Sequence, residues 1–178
     1  YVNDLEASDS DTKCIKYADD TTFYKPILDP STEDISDAIL LANTWSEQNN
    51  MILNSSKTVI LNVAFTDKPA MHLDVTYGND NIFLSPSEHT KFLGVVVDNK
   101  LTFSNHVDYI ISKCSQRLYL MRLLKRMGID SEGLKTFYVA NIKSVITYAC
   151  PAWYNLLSDN DKTRLERIQR SATRIMLP

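Results

Sequence analysis

Apolar residues follow two different periods along this chain, and each period predicts a different kind of structure. Residues 13–18 and 21–25 alternate between apolar and polar positions, which predicts the two strands of a β-hairpin. Residues 51–53 and 58–65 also have strand patterns. A short continuous apolar run at 92–97 predicts one more strand.

Helical spacing interrupts these strands once and then continues to the end of the chain. Apolar residues between 35 and 45 recur every three or four positions, which predicts an amphipathic helix of about four turns packed on a sheet. After residue 100 the spacing predicts three helices that begin at Ser104, Ser131 and Ser158, because a serine hydroxyl accepts hydrogen bonds from the first amides of a helix. The positions expected to face inward in these helices are Val107, Ile110, Ile111, Cys114, Leu118, Met121, Leu134, Phe137, Tyr138, Ile142, Val145, Ile146, Leu165, Ile168, Ala172 and Ile175.

The order of these elements predicts an α+β protein. An antiparallel sheet with one packed helix occupies residues 1–100, and an α-helical bundle occupies residues 101–178. The turn Asp98-Asn99-Lys100 marks the predicted boundary.

The composition is that of an ordinary globular protein, with 44% hydrophobic and 23% charged residues among 178. There is no signal-peptide pattern and no apolar run of roughly 18 residues, so we expect an intracellular protein, cytoplasmic or nuclear, with no membrane partner. Cys14, Cys114 and Cys150 are odd in number and widely spaced, which favours reduced thiols. Because Tyr1 already lies in a structured pattern, we expect the chain to be a piece of a longer protein.

A net charge of −3 conceals a division of charge along the chain. Residues 1–100 contain 7 lysines, no arginine and 16 acidic residues, a net charge of −9. Residues 101–178 contain 5 lysines, 7 arginines and 6 acidic residues, a net charge of +6. This division suits a metal site followed by a module that holds nucleic acid, and equally suits a helical part rich in arginine because arginine favours helices.

Two adjacent carboxylates, Asp19 and Asp20, fall at the tip of the predicted hairpin in Tyr17-Ala18-Asp19-Asp20. Carboxylate oxygens are ligands that Mg²⁺ prefers, commonly one or two of them together with substrate phosphates. The alternative is a solvated Asp-Asp turn. The choice between the two depends on the blocks that follow in the chain.

Five ordered blocks together resemble the reverse transcriptases of non-LTR (LINE-type) retrotransposons. The first is Tyr17-Ala18-Asp19-Asp20, which is similar to the metal-binding signature of that family. The others resemble, in order, a helix-then-strand motif ending in a lysine, the primer-grip hairpin, the first thumb helix and the segment after the thumb. They are Trp45 to Thr58, Lys91 to Asp98, Leu101 to Met127, and Tyr148 to Trp153 with Arg164 to Arg174.

The resemblance implies a partial palm in residues 1–100 and a thumb-like bundle in 101–178, from an RNA-directed DNA polymerase. Asp19 and Asp20 would bind Mg²⁺ or Mn²⁺, and Lys57 would protonate pyrophosphate, these three being the implied catalytic residues. The partners would be an RNA template, a DNA primer and dNTPs. The residues implied to hold primer or template are Tyr17, Phe92, Leu93, Gly94, Arg164, Arg167, Arg170 and Arg174.

Some departures from the family pattern limit these implications. The family has a further metal-binding Asp on an earlier strand, and Asp4, Asp9 and Asp11 lack the strand pattern to replace it. We therefore expect an incomplete metal site and no activity from this chain alone. Asp161 and Glu166 could pair with the arginines of the last helix instead of leaving them for phosphates.

Other functions compete with this one. The chain could be a non-catalytic nucleic-acid-binding remnant, or a helical scaffold. His72, Asp74 and His106 superficially match the metal triad of oxygenases, but the many-stranded barrel that triad requires is missing from the pattern. Residues 113–138 also resemble a short helical segment at the N-terminus of AlkB-type tRNA-modifying enzymes, a similarity that carries no catalytic group.

Overall fold

The chain forms two compact units, residues 1–62 with 66–87 and residues 63–65 with 88–178. The two strands just before residue 100 therefore belong to the same compact unit as the helices that follow them. The boundary near residue 100 between a partial palm and a thumb-like bundle stays a prediction. The computed structural model describes residues 4–6, 11–28, 35–54, 56–65, 73–77, 80–84 and 86–177, with the backbone alone in 73–77 and 80–84.

In the first unit, the predicted hairpin and the predicted helix are both confirmed. Strands β1 (Lys13–Tyr17) and β2 (Asp20–Tyr24) pair antiparallel, and helix α1 spans Ser36–Gln48. The helix buries Ala38 and Ala42 as its spacing predicts. Two further pairs complete the unit: β3 (Ile60–Leu61) runs parallel to β6 (Pro86–Ser87), and β4 (Leu73–Tyr77) runs antiparallel to β5 (Asp80–Leu84).

The strand predicted at 51–53 is wrong, because the backbone amide of Met51 is hydrogen-bonded in the C-terminal cap of α1. Asn50 is left-handed, with φ 54°, and the amide of Met51 donates to the carbonyl of Ser46 at 2.8 Å. The amide of Asn50 donates to the carbonyl of Glu47 at 3.2 Å, which completes a Schellman motif. The strand predicted at 58–65 shortens to β3, because the carbonyl of Asn54 accepts from the amides of Lys57 and Thr58 and forms a turn.

The second unit is a hairpin followed by helices, and together with the first it confirms the α+β class. The predicted single strand at 92–97 is wrong, since positive φ at Leu93 (45°) and Gly94 (89°) forms a tight turn inside it. The elements are β7 (His89–Phe92), β8 (Val95–Asp98), α2 (Ser104–Arg126), α3 (Ser131–Tyr138), a π-helical turn (Val139–Lys143), α4 (Ser144–Ile146), α5 (Cys150–Trp153), a 3-10 turn (Tyr154–Leu156) and α6 (Asp159–Met176).

One apolar core lies between these helices and the hairpin. The inward positions predicted for α2 and α6 are confirmed, with Val107, Cys114 and Ala172 fully buried. None of the helices that the structure describes is both long and apolar enough to cross a membrane. The buried core residues are Val95, Phe103, Val107, Ile110, Cys114, Leu118, Met121, Leu134, Ile142, Ile146, Trp153, Leu157, Leu165, Ile168, Ala172 and Ile175.

The buried carboxylate of Asp98 organises the passage from β8 to α2. Its side chain accepts from the amides of Lys100 (3.1 Å), Thr102 (3.0 Å) and Phe103 (2.6 Å), and from the hydroxyl of Thr102 (3.1 Å). Burial alone would raise the pKa of Asp98, but these hydrogen bonds to the charged form hold the pKa below its ordinary value. Leu101 and Phe103 have φ of 53° and 58° in the same loop, a conformation that side chains rarely adopt without such support.

The helix starts only partly follow the serines that the sequence indicates. Ser158 caps α6 as predicted, by accepting from the amide of Asp161 at 3.2 Å. For α3 the cap is Asp130 rather than Ser131, with the carboxylate accepting from the amide of Gly133 at 2.9 Å. The hydroxyl of Ser104 does not cap α2 but donates to the carboxylate of Asp161 at 2.8 Å.

We expect the substitution Asp98→Asn to destabilise the second unit by about 2 kcal/mol, because an amide nitrogen would face donors that now point at a carboxylate oxygen. Urea unfolding followed by the fluorescence of the buried Trp153, with Trp45 replaced by Phe, measures this. The matched control is Asp159→Asn, the same change at a fully exposed carboxylate, which should move the unfolding midpoint little. Equal effects of the two variants would contradict the role assigned to Asp98.

Candidate functional site

The turn between β1 and β2 places both predicted metal ligands at the tip of the hairpin. Tyr17 pairs with Asp20 across the two strands, so Ala18 and Asp19 form a two-residue turn. The φ angle is positive at Ala18 (55°) and negative at Asp19, which is the pattern of signs in a type II′ turn. The position that this turn normally gives to glycine is thus filled by alanine, which strains the backbone locally.

Three of the predicted site residues come together at this tip. Directly paired residues of an antiparallel hairpin project to the same face, so Tyr17 and Asp20 are neighbours on one side. The side chains of Asp19 and Asp20 are both exposed, and Tyr17 is 66% exposed. The tip therefore presents two carboxylates and a phenol to solvent.

The donor type at the tip fits a hard cation, but the donor number does not complete a site. Oxygen ligands suit Mg²⁺ and Mn²⁺, which take about six of them, several from water or substrate phosphates. Within the described part of the chain, no three His, Cys, Asp or Glu side chains are grouped closely enough to hold a metal ion. Asp19 and Asp20 could contribute at most two carboxylates, so no reaction step is assigned to a metal here.

Lys57 lies in the same compact unit as the hairpin, on an exposed turn. Its amide donates to the carbonyl of Asn54 at 3.0 Å, which fixes the backbone and leaves the ammonium in solvent. Among the residues that the structure describes, Lys57 forms no ion pair with Asp19 or Asp20. Its role in protonating pyrophosphate stays a prediction.

The hairpin of β7 and β8 carries Phe92, Leu93 and Gly94 at and beside its tip, with Phe92 37% exposed. The hydroxyl of Tyr148 donates to the carbonyl of Leu93 at 2.8 Å. Its ring is so close to Gly94 that a Cβ added there would lie 3.1 Å from Tyr148 Cε1. Gly94 therefore leaves space for the ring of Tyr148, a structural role that the sequence did not indicate. The predicted approach of a phosphate to Gly94 stays a prediction.

His106, weighed above as an oxygenase ligand, is a buried core residue. Its Nδ1 accepts from the amide of Val96 at 3.3 Å, and its ring meets the edge of Trp153 with 5.0 Å between centroids. Burial lowers the pKa of His106, which keeps the imidazole neutral. His72 and the side chain of Asp74 lie outside the described residues, so the triad has no support from the part of the chain that is described.

The arginines of α6 divide into paired and exposed members. Arg164 donates to Asp161 at 2.9 Å and also to Asp108, so it ties the start of α6 to α2. Arg170 pairs with Glu166 at 2.8 Å, one turn away. The alternative that acidic residues pair with these arginines is thus realised for Arg164 and Arg170.

Arg167 and Arg174 remain exposed on α6 and form no ion pair within the described residues. They lie seven residues apart, on one face of the helix. They are the members of the predicted stripe that are available to a phosphate. Contact with nucleic acid stays a prediction for all four arginines.

Comparison with curated proteins identifies RNA-directed DNA polymerases. The chain is 21% identical over 162 residues, 89% of its length, to the probable RNA-directed DNA polymerase from transposon BS of Drosophila melanogaster. It is 26% identical over 168 residues, 90% of its length, to the probable RNA-directed DNA polymerase from transposon X-element of the same organism. The chain spans only 18% of the length of each of these relatives.

No protein-family model and no solved structure matches the chain. By these curated relatives, the chain is similar to reverse transcriptases. More particularly, it is similar to the RNA-directed DNA polymerases of transposons, and the resemblance seen in the sequence is confirmed over about 90% of the chain.

We expect Ala18→Gly to stabilise the β1–β2 hairpin, because glycine removes a left-handed penalty of about 1 kcal/mol from the turn. Ala18→Val, at the same position, should destabilise it because a β-branched side chain tolerates positive φ less well. Hydrogen exchange of the hairpin amides measures both. A loss of protection in both variants would contradict the strain assigned to Ala18.

We also expect the second unit to lose stability as pH falls from 7 towards 5. The folded pKa of His106 lies below its ordinary value of about 6.5, so the unfolded chain binds the proton first and gains population as pH falls. The slope should approach at most about 1.4 kcal/mol per pH unit. The lowered pKa values of Asp98 and Asp161 act in a separate window, below about pH 4.

Urea midpoints of the Trp45→Phe protein between pH 5 and 7 measure this slope. His106→Asn keeps an acceptor for Val96 without a titrating group, and should flatten the slope. His106→Ala should also flatten it but lower stability at every pH, because the Val96 amide loses its acceptor. An unchanged slope in both variants would assign the pH dependence to other groups.

Proposed function

We propose that this chain is the C-terminal palm-and-thumb part of a non-LTR retrotransposon reverse transcriptase. In the intact parent it contributes to Mg²⁺-dependent addition of dNTPs to a DNA primer on an RNA template. The observation that carries the proposal is the exposed pair Asp19 and Asp20 at the tip of the β1–β2 hairpin, in a chain similar over most of its length to RNA-directed DNA polymerases.

The chemistry explains why such a tip is useful. Phosphoryl transfer depends on neutralising charge and aligning the attacking and leaving oxygens, which two metal ions about 4 Å apart achieve. Asp19 and Asp20 would be two of the ligands, and Tyr17 would lie beside the primer terminus. A third carboxylate from another part of the parent would complete the metal site, so this chain alone binds without catalysing.

The remaining predicted residues would serve positioning. The hairpin tip at 92–94 would lie along the primer backbone, and the exposed Arg167 and Arg174 would neutralise phosphates of the duplex. Lys57 would protonate the leaving pyrophosphate.

A second candidate function is a nucleic-acid-binding remnant without catalytic use. It is favoured by the donor count at the tip, which stops at two carboxylates within the described residues. The two candidates differ in whether the hairpin still recruits a metal.

The first test therefore measures the metal directly. Added Mn²⁺ should broaden the amide resonances of residues 17–21 in the chain, and Asp19→Asn with Asp20→Asn should abolish the broadening. Asp159→Asn, at an exposed carboxylate of the second unit, is the control and should leave it unchanged. Broadening that persists in the double variant would place the metal elsewhere and contradict the proposed site.

The second test uses a labelled poly(rA)–oligo(dT) duplex with dTTP and Mg²⁺. The chain should bind it with an affinity that falls steeply with salt, and should not extend the primer. Arg167→Gln with Arg174→Gln should reduce the slope of log K against log salt by about 2, since each phosphate contact contributes about 0.9. Lys135→Gln with Lys143→Gln is the charge-matched control on other elements.

Each outcome of this second test has a definite meaning. Primer extension abolished by Asp19→Ala would show that the chain is catalytic by itself, and would replace the expectation of inactivity. Salt-dependent binding, together with no Mn²⁺ broadening at the hairpin, would favour the non-catalytic nucleic-acid-binding remnant. Binding that does not depend on salt would leave only a helical scaffold.

A further inference from the structure

Two lysines and a tyrosine converge on one surface of the second unit, and one of them, Lys91, directly precedes Phe92 in β7. Lys91 Nζ lies 3.3 Å from the hydroxyl of Tyr109 and 5.2 Å from the centre of its ring. Lys113 Nζ lies 4.4 Å from the same ring centre. Lys91 comes from β7, whereas Tyr109 and Lys113 are four residues apart on α2, so two separate elements build the group.

The packing beneath holds this group in place. Lys91 pairs with Val96 across the hairpin, and the amide of Val96 donates to the buried His106. The ring of Tyr109 stacks on that of His106 at 6.3 Å between centroids and 21° between planes. Because His106 is 2% exposed and fixed by its acceptor role, the strand with Lys91 and the helix turn with Tyr109 keep a constant spacing.

The charge of this group is not balanced by any ion pair among the described residues. Neither Lys91 nor Lys113 forms an ion pair with an acidic side chain in the part of the protein that the structure describes. The nearest carboxylate in sequence, Asp108, is bound to Arg164 instead. The ammonium groups of Lys113 and Lys91 lower the pKa of Tyr109, because both favour the charged phenolate.

Two cations around one neutral phenol repel each other unless an anion joins them. A phosphate group suits the arrangement, because its oxygens are distributed tetrahedrally and accept charge-assisted hydrogen bonds from several directions. The ammonium group of lysine is a compact point charge, without the planar fork with which arginine recognises carboxylates. The phenol can add a third donor.

We propose that Lys91, Tyr109 and Lys113 form a binding site for a phosphodiester of a nucleic-acid backbone. The assignment of the phosphate to nucleic acid rests on the proposed function, whereas the anion site itself rests on the geometry of the three side chains. The site recognises backbone charge rather than base sequence, because nothing in it is arranged to read base edges.

Binding of an RNA–DNA heteroduplex, followed by fluorescence anisotropy between 50 and 200 mM KCl on the full chain, tests the proposal. Lys91→Gln with Lys113→Gln should reduce the slope of log K against log salt by about 2. Tyr109→Phe should weaken binding with little change of slope, because it removes a donor but no charge. Lys135→Gln with Lys143→Gln loses the same charge elsewhere and should retain most of the wild-type slope.

A wild-type slope in the Lys91, Lys113 double variant would overturn the proposal while leaving the proposed function intact. Should the wild-type chain not bind heteroduplex at all, the proposed function fails, and the anion site is then tested with inorganic phosphate at constant ionic strength. Phosphate-dependent NMR shifts confined to Lys91, Tyr109 and Lys113 would support an anion site for small phosphates. Their absence would overturn the site as well.

Discussion

The buried carboxylate of Asp98 is the constraint on which the second unit depends. It accepts four hydrogen bonds from the loop that joins β8 to α2, and that loop contains two left-handed residues, Leu101 and Phe103. Non-glycine residues adopt this conformation only where the surroundings over-determine it. The hydrogen bonds to the charged carboxylate stabilise this conformation, so α2 begins at a fixed place and in a fixed direction with respect to the hairpin.

The arrangement of Lys91, Tyr109 and Lys113 follows from this placement of α2. His106 comes one turn after the loop and accepts from Val96, and Tyr109 follows it by three residues. The opposite end of the hairpin is held by Tyr148, whose hydroxyl donates to the carbonyl of Leu93. A hairpin fixed at both ends is a rigid support for groups that must meet a phosphate at a defined distance.

Local patterns of the sequence were sufficient for most of the helices, the β1–β2 hairpin and most of the core, because period and turn length depend on neighbours in the chain. Two strand predictions, at 51–53 and 92–97, failed because local turns take up the backbone. Other predictions failed where the partner is distant in sequence. Ser104 looks like a cap, yet it donates to Asp161, 57 residues away. Gly94 looks open to a ligand, yet the space beside it is filled by Tyr148, which is similarly distant in sequence. In the proposed phosphate site, Lys113 is a near neighbour of Tyr109 on α2, whereas Lys91 comes from β7 and could not be placed beside them from local spacing.

The carboxylates of this chain fall into two groups, and the difference bears on function. Asp98 and Asp161 are buried and surrounded by donors, which lowers the pKa of each and commits both to folding. Asp19 lies in the strained two-residue turn and Asp20 directly after it at the start of β2, and their exposed carboxylates have no hydrogen-bond partner within the described residues. Folding gains nothing evident from two adjacent like charges at such a tip. Exposed carboxylates at a hairpin tip are free to bind a cation or substrate phosphates through water, and that role of Asp19 and Asp20 stays a proposal.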